Sequence, residues 1–128
     1  MGTEALPDSV RQFLSLHIHS LEQLELLLLL RSQPDRPWTV GQVYEVIRSS
    51  QPSLQKGLET FSREGFFAEE KTALPAFRYA PRNDELRAAV EQVAASYHLS
   101  RVRVIEAIFA PKIDPVQTFA DAFKLRKD

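Results

Sequence analysis

Apolar residues recur at helical spacing in six stretches of this chain and at alternate positions in one. Pro7 opens the first stretch, where Val10, Phe13 and Leu14 share a side as far as Leu16. The second begins at Ser20, and Gln23 three residues later completes a capping-box signature. Pro34 and Pro37 end it. Thr39 with Gln42 repeats the capping box, and Val40, Val43, Val46 and Ile47 form the stripe of a third helix. After the turn SSQPS, Pro52 opens a fourth helix, SLQKGLETFSREG, with Leu54, Leu58 and Phe61 on one side. Gly65 stands where a left-handed C-cap is expected.

Beyond Gly65 the period falls from 3.6 to 2. FFAEEK and AFRYA alternate, with TALP as the turn between them, which predicts a short hairpin. A long helical pattern follows from Asp84 to Phe109, and Leu86, Val90, Val93, Tyr97, Val104 and Ile108 lie near heptad spacing along it. Ser100 and Arg101 interrupt that seam, so a break near His98 to Ser100 is one outcome to look for. Pro111 stops the pattern. Asp114 and Pro115 then start a last helix, with Val116, Phe119 and Phe123 on its buried side. No fixed-period repeat or long linker interrupts this order.

The run of five leucines, Leu26 to Leu30, is fenced by Glu25 and Arg31 and falls well short of the ~20 residues that span a bilayer. It predicts a buried core helix and no membrane role. At 128 residues, 44% hydrophobic and 26% charged, the chain has the size and surface of one compact globular unit. It contains no cysteine, so disulfides and thiolate chemistry are excluded, and a reducing cytoplasm is the expected location. The N-terminus lacks the layout of a signal peptide. Sixteen basic and seventeen acidic residues leave a net charge of −1, without the strong basic excess that marks many nucleic-acid binders.

The span from Thr39 to Phe67 resembles the winged helix-turn-helix of bacterial and archaeal transcriptional regulators. Thr39 opens one helix and Val43, Val46 and Ile47 pack it; Leu54, Leu58 and Phe61 follow at spacings of four and three; Gly65, Phe66 and Phe67 then begin the hairpin that stands for the wing. The resemblance covers about residues 20 to 81. The fold expected is mainly α with a small β-hairpin: an N-terminal helical extension over 1–19, a winged helix-turn-helix over 20–82, and C-terminal helices over 83–128 as a dimerisation element.

The resemblance implies double-stranded DNA as partner, with the fourth helix in the major groove. Ser53, Gln55, Lys56, Thr60 and Arg63 are then the candidate contacts on that helix, and Lys71 and Arg78 on the wing. Charge complicates this picture. Between Thr39 and Phe67, Arg48, Lys56 and Arg63 are balanced by Glu45, Glu59 and Glu64. Residues 68–82 carry only one net positive charge, and Glu59 in mid-face would be repelled by phosphates unless it accepted from a cytosine. A winged helix kept for contacting a protein partner is therefore the alternative.

For a homodimer, the candidate surface is the seam Leu86, Val90, Val93, Tyr97, Val104 and Ile108, with Phe109, Phe119 and Phe123 beyond it. The same helices could instead fold back on their own winged helix. His17 and His19 sit two apart, point to different sides of a helix and have no acidic cluster beside them, so they read as surface residues rather than metal ligands. The chain carries no glycine-rich phosphate loop and no Gly-x-Ser-x-Gly elbow. Neither an enzyme nor a cofactor is expected.

Overall fold

The computed structural model describes residues 6–110. In chain order it contains α1 (Asp8–His17), α2 (Leu21–Ser32), β1 (Trp38–Thr39), α3 (Val40–Val46), α4 (Gln51–Arg63), β2 (Phe67–Glu70), β3 (Ala76–Tyr79), α5 (Asp84–Leu99) and α6 (Arg101–Phe109). The predicted last helix and the charged tail, with Phe119 and Phe123, lie outside the described residues.

Side-chain caps decide where most of these helices begin. Thr39 and Gln42 form the reciprocal capping box: the Thr39 hydroxyl accepts from Gln42 N at 3.2 Å, and Gln42 Oε1 accepts from Thr39 N at 3.1 Å. At α2 only half of the box forms. Ser20 Oγ accepts from Gln23 N, but Gln23 Oε1 turns to His19 N, at 2.6 Å. Ser50 caps α4, so that helix starts at Gln51 and Pro52 takes its second position rather than its first. A proline anywhere in the first turn removes only an N–H that has no intrahelical acceptor. Gly65 has φ +93°, the left-handed geometry expected after α4, and the Arg82 side chain lies across the space its Cβ would fill.

The hairpin pairs Phe67 with Tyr79 and Glu70 with Ala76 in antiparallel register. A third strand, absent from the sequence reading, completes the sheet in the order β1-β3-β2. It is the two-residue β1, whose Trp38 pairs with Phe77 and Thr39 with Ala76. Trp38 is buried, and the Arg36 guanidinium sits 3.6 Å over its ring.

Leu24, Leu26, Leu27 and Leu30 are all buried, so the leucine run is the central core helix. α4 packs on it closely enough that a Cβ at Gly57 would stand 2.9 Å from Leu26 Cδ2. Phe13, Phe61, Phe66 and Phe67 join the first helix to the base of the wing through ring contacts of 5.3 to 5.8 Å. His17 belongs to this cluster rather than to the surface. Its ring lies 4.9 Å from Phe13 and 5.1 Å from Phe66, and Nδ1 hydrogen-bonds the Glu64 carboxylate at 3.0 Å.

The long C-terminal helical pattern is broken at Ser100, which ends α5 in a non-helical conformation (φ −143°, ψ 60°) and starts α6. The expected seam also takes a different role. Val90, Val93, Val104 and Ile108 are 0 to 3% exposed within the single chain, because α1 packs across α5 and α6. These four residues belong to the chain's own core and are not free for a partner. Leu86 and Tyr97 pack against that core half-buried, and Phe109 stays exposed. Among the described residues no single helix is long and apolar enough to cross a membrane.

Candidate nucleic-acid interface

The polar side of α4 is fixed by what its other side buries. Leu54, Gly57, Leu58 and Phe61 face the core, so at 100° per residue Pro52, Lys56, Glu59 and Arg63 form the outermost stripe. All four are exposed. Lys56 has no ion-pair partner among the described residues, and Arg63 Nη2 donates to Thr60 Oγ1 at 3.3 Å rather than to an acid. Two cations thus stand outward two turns apart, with one carboxylate between them.

The flanks of the helix are engaged differently. Ser53 turns toward α2, where its hydroxyl donates to Glu22 Oε1 at 2.6 Å. The other Glu22 oxygen accepts from Ser49 in the α3–α4 turn. Gln55, on the opposite flank, gives Nε2 to Glu59 Oε2 at 2.6 Å, an i,i+4 bond along the helix. It also lines a cleft of about 340 Å³ closed by Leu74 and Pro75 of the wing turn and by Thr39, Val40 and Gly41 at the start of α3. The wing tip therefore lies beside the exposed face of α4.

On the wing itself the two predicted cations separate. Lys71 follows β2 at the exposed tip. Arg78 is half-buried in β3, and its Nε lies 3.5 Å from Glu70 Oε2. The predicted set thus divides into an outward group (Lys56, Arg63, Lys71), two partly exposed flank residues (Gln55 beside the cleft and Thr60 under Arg63) and two residues engaged by acids of the chain (Ser53, Arg78). The Glu59–Gln55 pair has readable spacing but was not picked out from sequence. The Glu22 clasp on Ser49 and Ser53 spans 27 and 31 residues, and no local signal announces it.

A second recess, about 400 Å³, opens between Glu25, Leu28 and Leu29 of α2, Val46 and Ile47 at the end of α3, and Tyr97 and Arg101 across the α5–α6 break. The Arg101 guanidinium lies 5.3 Å from the Tyr97 ring centroid. Among the described residues no group of three His, Asp or Glu side chains is placed to hold a metal ion.

No protein-family profile matches the chain, and no curated protein sequence does. Among solved structures the chain is similar to a point mutant of S. aureus MepR bound to an oligodeoxyribonucleotide. The match covers 94% of this chain and 89% of that one at 12% identity, with a TM-score of 0.51. At that identity the likeness is one of fold, and the fold is the winged helix-turn-helix.

Proposed function

We propose that the chain is a DNA-binding regulator acting as a dimer, with α4 in the major groove and the wing tip on the neighbouring backbone. The observation that carries this reading is the outer stripe of α4, where Lys56 and Arg63 face outward without acidic partners beside an exposed wing tip bearing Lys71. The structural neighbour, itself bound to an oligodeoxyribonucleotide, supports the same use of the fold. A regulator of this design would work in the cytoplasm.

Dimerisation would use what the core leaves uncovered. Leu16 on α1, Leu99 at the end of α5, and Val102 and Phe109 on α6 are 67 to 81% exposed, on three helices that pack on one another. Two-fold pairing there would present two α4 helices to a pseudo-palindromic site and double the phosphate contacts. The competing reading, a winged helix that contacts a protein, draws on the acids that engage Ser53 and Arg78 and on the net charge of −1.

The test is fluorescence anisotropy of a labelled mixed-sequence duplex titrated at several salt concentrations. Under the regulator reading, log affinity falls linearly with log salt, with a slope of about −0.9 for each phosphate neutralised. Absence of binding at ~50 mM salt, where electrostatic association is strong, would leave the protein-contact reading in its place.

A further inference from the structure

Glu59 is the one acidic group on the outer stripe of α4, and it is bonded in an unexpected way. Lys56 precedes it by three residues and Arg63 follows it by four, both spacings at which ion pairs form along a helix. It pairs with neither. Its Oε2 instead accepts from the neutral amide of Gln55 at 2.6 Å, while Arg63 turns to Thr60. The carboxylate is therefore oriented without being neutralised, and Oε1 keeps its acceptor capacity toward solvent.

We infer that Glu59, oriented by Gln55, reads a cytosine in the major groove. The inference rests on the regulator reading above and gives that reading its sequence preference. Guanine offers N7 and O6 at the groove floor and thymine offers O4, all acceptors that repel a carboxylate. Adenine offers an N6 donor, but its N7 acceptor stands alongside. In a duplex the adenine donor is flanked by acceptors on both sides, N7 and the paired thymine O4. The cytosine N4–H has an acceptor, the paired guanine O6, on one side only, so it is the base edge an anionic acceptor selects.

The stripe supplies what such a contact needs around it. From Lys56 to Arg63 the helix rises about 10.5 Å, or roughly three base-pair steps. Two cations thus flank the carboxylate and offset its repulsion by the phosphates. Gln55 acts as a positioning residue: one amide hydrogen is committed to Glu59, and its side chain is backed by the cleft beneath the wing turn.

The experiment is selection of bound duplexes from a random-sequence pool by the full chain, run in parallel for the wild type, Glu59→Gln, Glu59→Ala and Gln55→Ala. The wild type should enrich sites with one position restricted to cytosine, where another base costs roughly tenfold in affinity, within the range of a good base contact. Glu59→Gln should move that position to adenine, which a glutamine pairs through N6 and N7. Glu59→Ala should leave the position unrestricted. Gln55→Ala should keep cytosine but weaken the preference about threefold, as expected for a carboxylate that has lost its orienting bond.

If the wild type and both Glu59 variants enrich the same site, with the variants binding every duplex more tightly, Glu59 is only a repulsive charge. The inference is then overturned while the regulator reading stands. Wild-type binding with no enriched sequence has the same consequence. Failure of the wild type to retain any duplex overturns the regulator reading, and the inference with it.

Discussion

Arg31 of α2 grips Glu91 of α5 with two hydrogen bonds, Nε to Oε2 at 2.8 Å and Nη2 to Oε1 at 2.6 Å. The residues lie 60 positions apart, so this fork joins the central helix of the winged unit to the C-terminal helices. Its planar geometry is the arrangement in which a guanidinium holds a carboxylate most firmly. The hydrogen bond from Arg31, aided by its charge and that of Arg87, holds the Glu91 carboxyl below its ordinary value of 4.5 despite partial burial.

That linkage sets a pH dependence. A carboxyl with a depressed folded pKa takes up protons more readily when unfolded, so its stabilisation is complete above the ordinary value and declines as pH falls toward the lower folded value. Both side chains are partly exposed, which limits the pair to at most about 1 kcal/mol. A double-mutant cycle with Arg31→Met and Glu91→Gln, followed by urea denaturation, should give a coupling of roughly 0.5–1 kcal/mol at pH 7. Well below pH 4 the coupling should vanish. A coupling that is unchanged in acid would mean the fork is not what joins the helices.

Gly65→Ala places a Cβ on a backbone at φ +93° and directs it to within 2.9 Å of Arg82 Cδ. Arg82 is exposed and can yield, so the backbone term dominates, and the loss should be about 1–2 kcal/mol. Gly57→Ala tests a different effect. Helix propensity favours alanine by about 1 kcal/mol, but overpacking against the buried Leu26 costs about 1–3 kcal/mol. Denaturant midpoints should fall for both variants, and a rise for Gly57→Ala would show that α2 and α4 are less tightly packed than described.

Lys56→Ala removes an exposed cation that has no ion-pair partner among the described residues. Its melting temperature should match that of the parent, while the salt slope of DNA binding drops by about one phosphate. Lys56→Glu should abolish binding in the same titration. Equal slopes for Lys56→Ala and the parent would place the groove face elsewhere.

Glu22→Gln removes the negative charge beside the first turn of α4 while keeping an oxygen that can accept from Ser53. With Ser53 released from a charged acceptor, duplex affinity at low salt should rise about two- to fivefold, an effect screened away as salt increases. An affinity that falls would mean the clasp positions α4 rather than competing with DNA for it.

For the dimer, sedimentation should give twice the 14.6 kDa chain mass, and Leu99→Glu combined with Phe109→Glu should give the single-chain mass. Both positions are at least 70% exposed, so thermal stability should change little. A parent that already sediments as one chain would leave those apolar residues without the proposed partner.

Local signals carried most of the fold. The Thr39–Gln42 box, the four-and-three spacing of Leu54, Leu58 and Phe61, and the positive φ of Gly65 each follow from residues within one or two turns of one another. Long-range pairing was illegible. Trp38 and Thr39 are too few to alternate, and they become a strand only because β3 lies beside them. The seam on α5 and α6 shows the same limit: periodicity told that Val90, Val93, Val104 and Ile108 would be covered, but not that α1 would cover them. On the candidate interface the residue types were legible, whereas the acid engaging Ser53 comes from a helix 31 residues away.

The short β1 strand also determines which part of the wing can vary. Its two pairings clamp β3 at Phe77 and Ala76, the end next to the turn, so the strand is held in place right up to where the turn begins. Between Glu70 and Ala76 nothing is locked in register, and the five intervening residues are all exposed. Insertions or deletions there would change the reach of the hairpin while leaving its alignment intact. The arm can therefore be lengthened or trimmed to fit a differently shaped surface without redesign of the body that carries it.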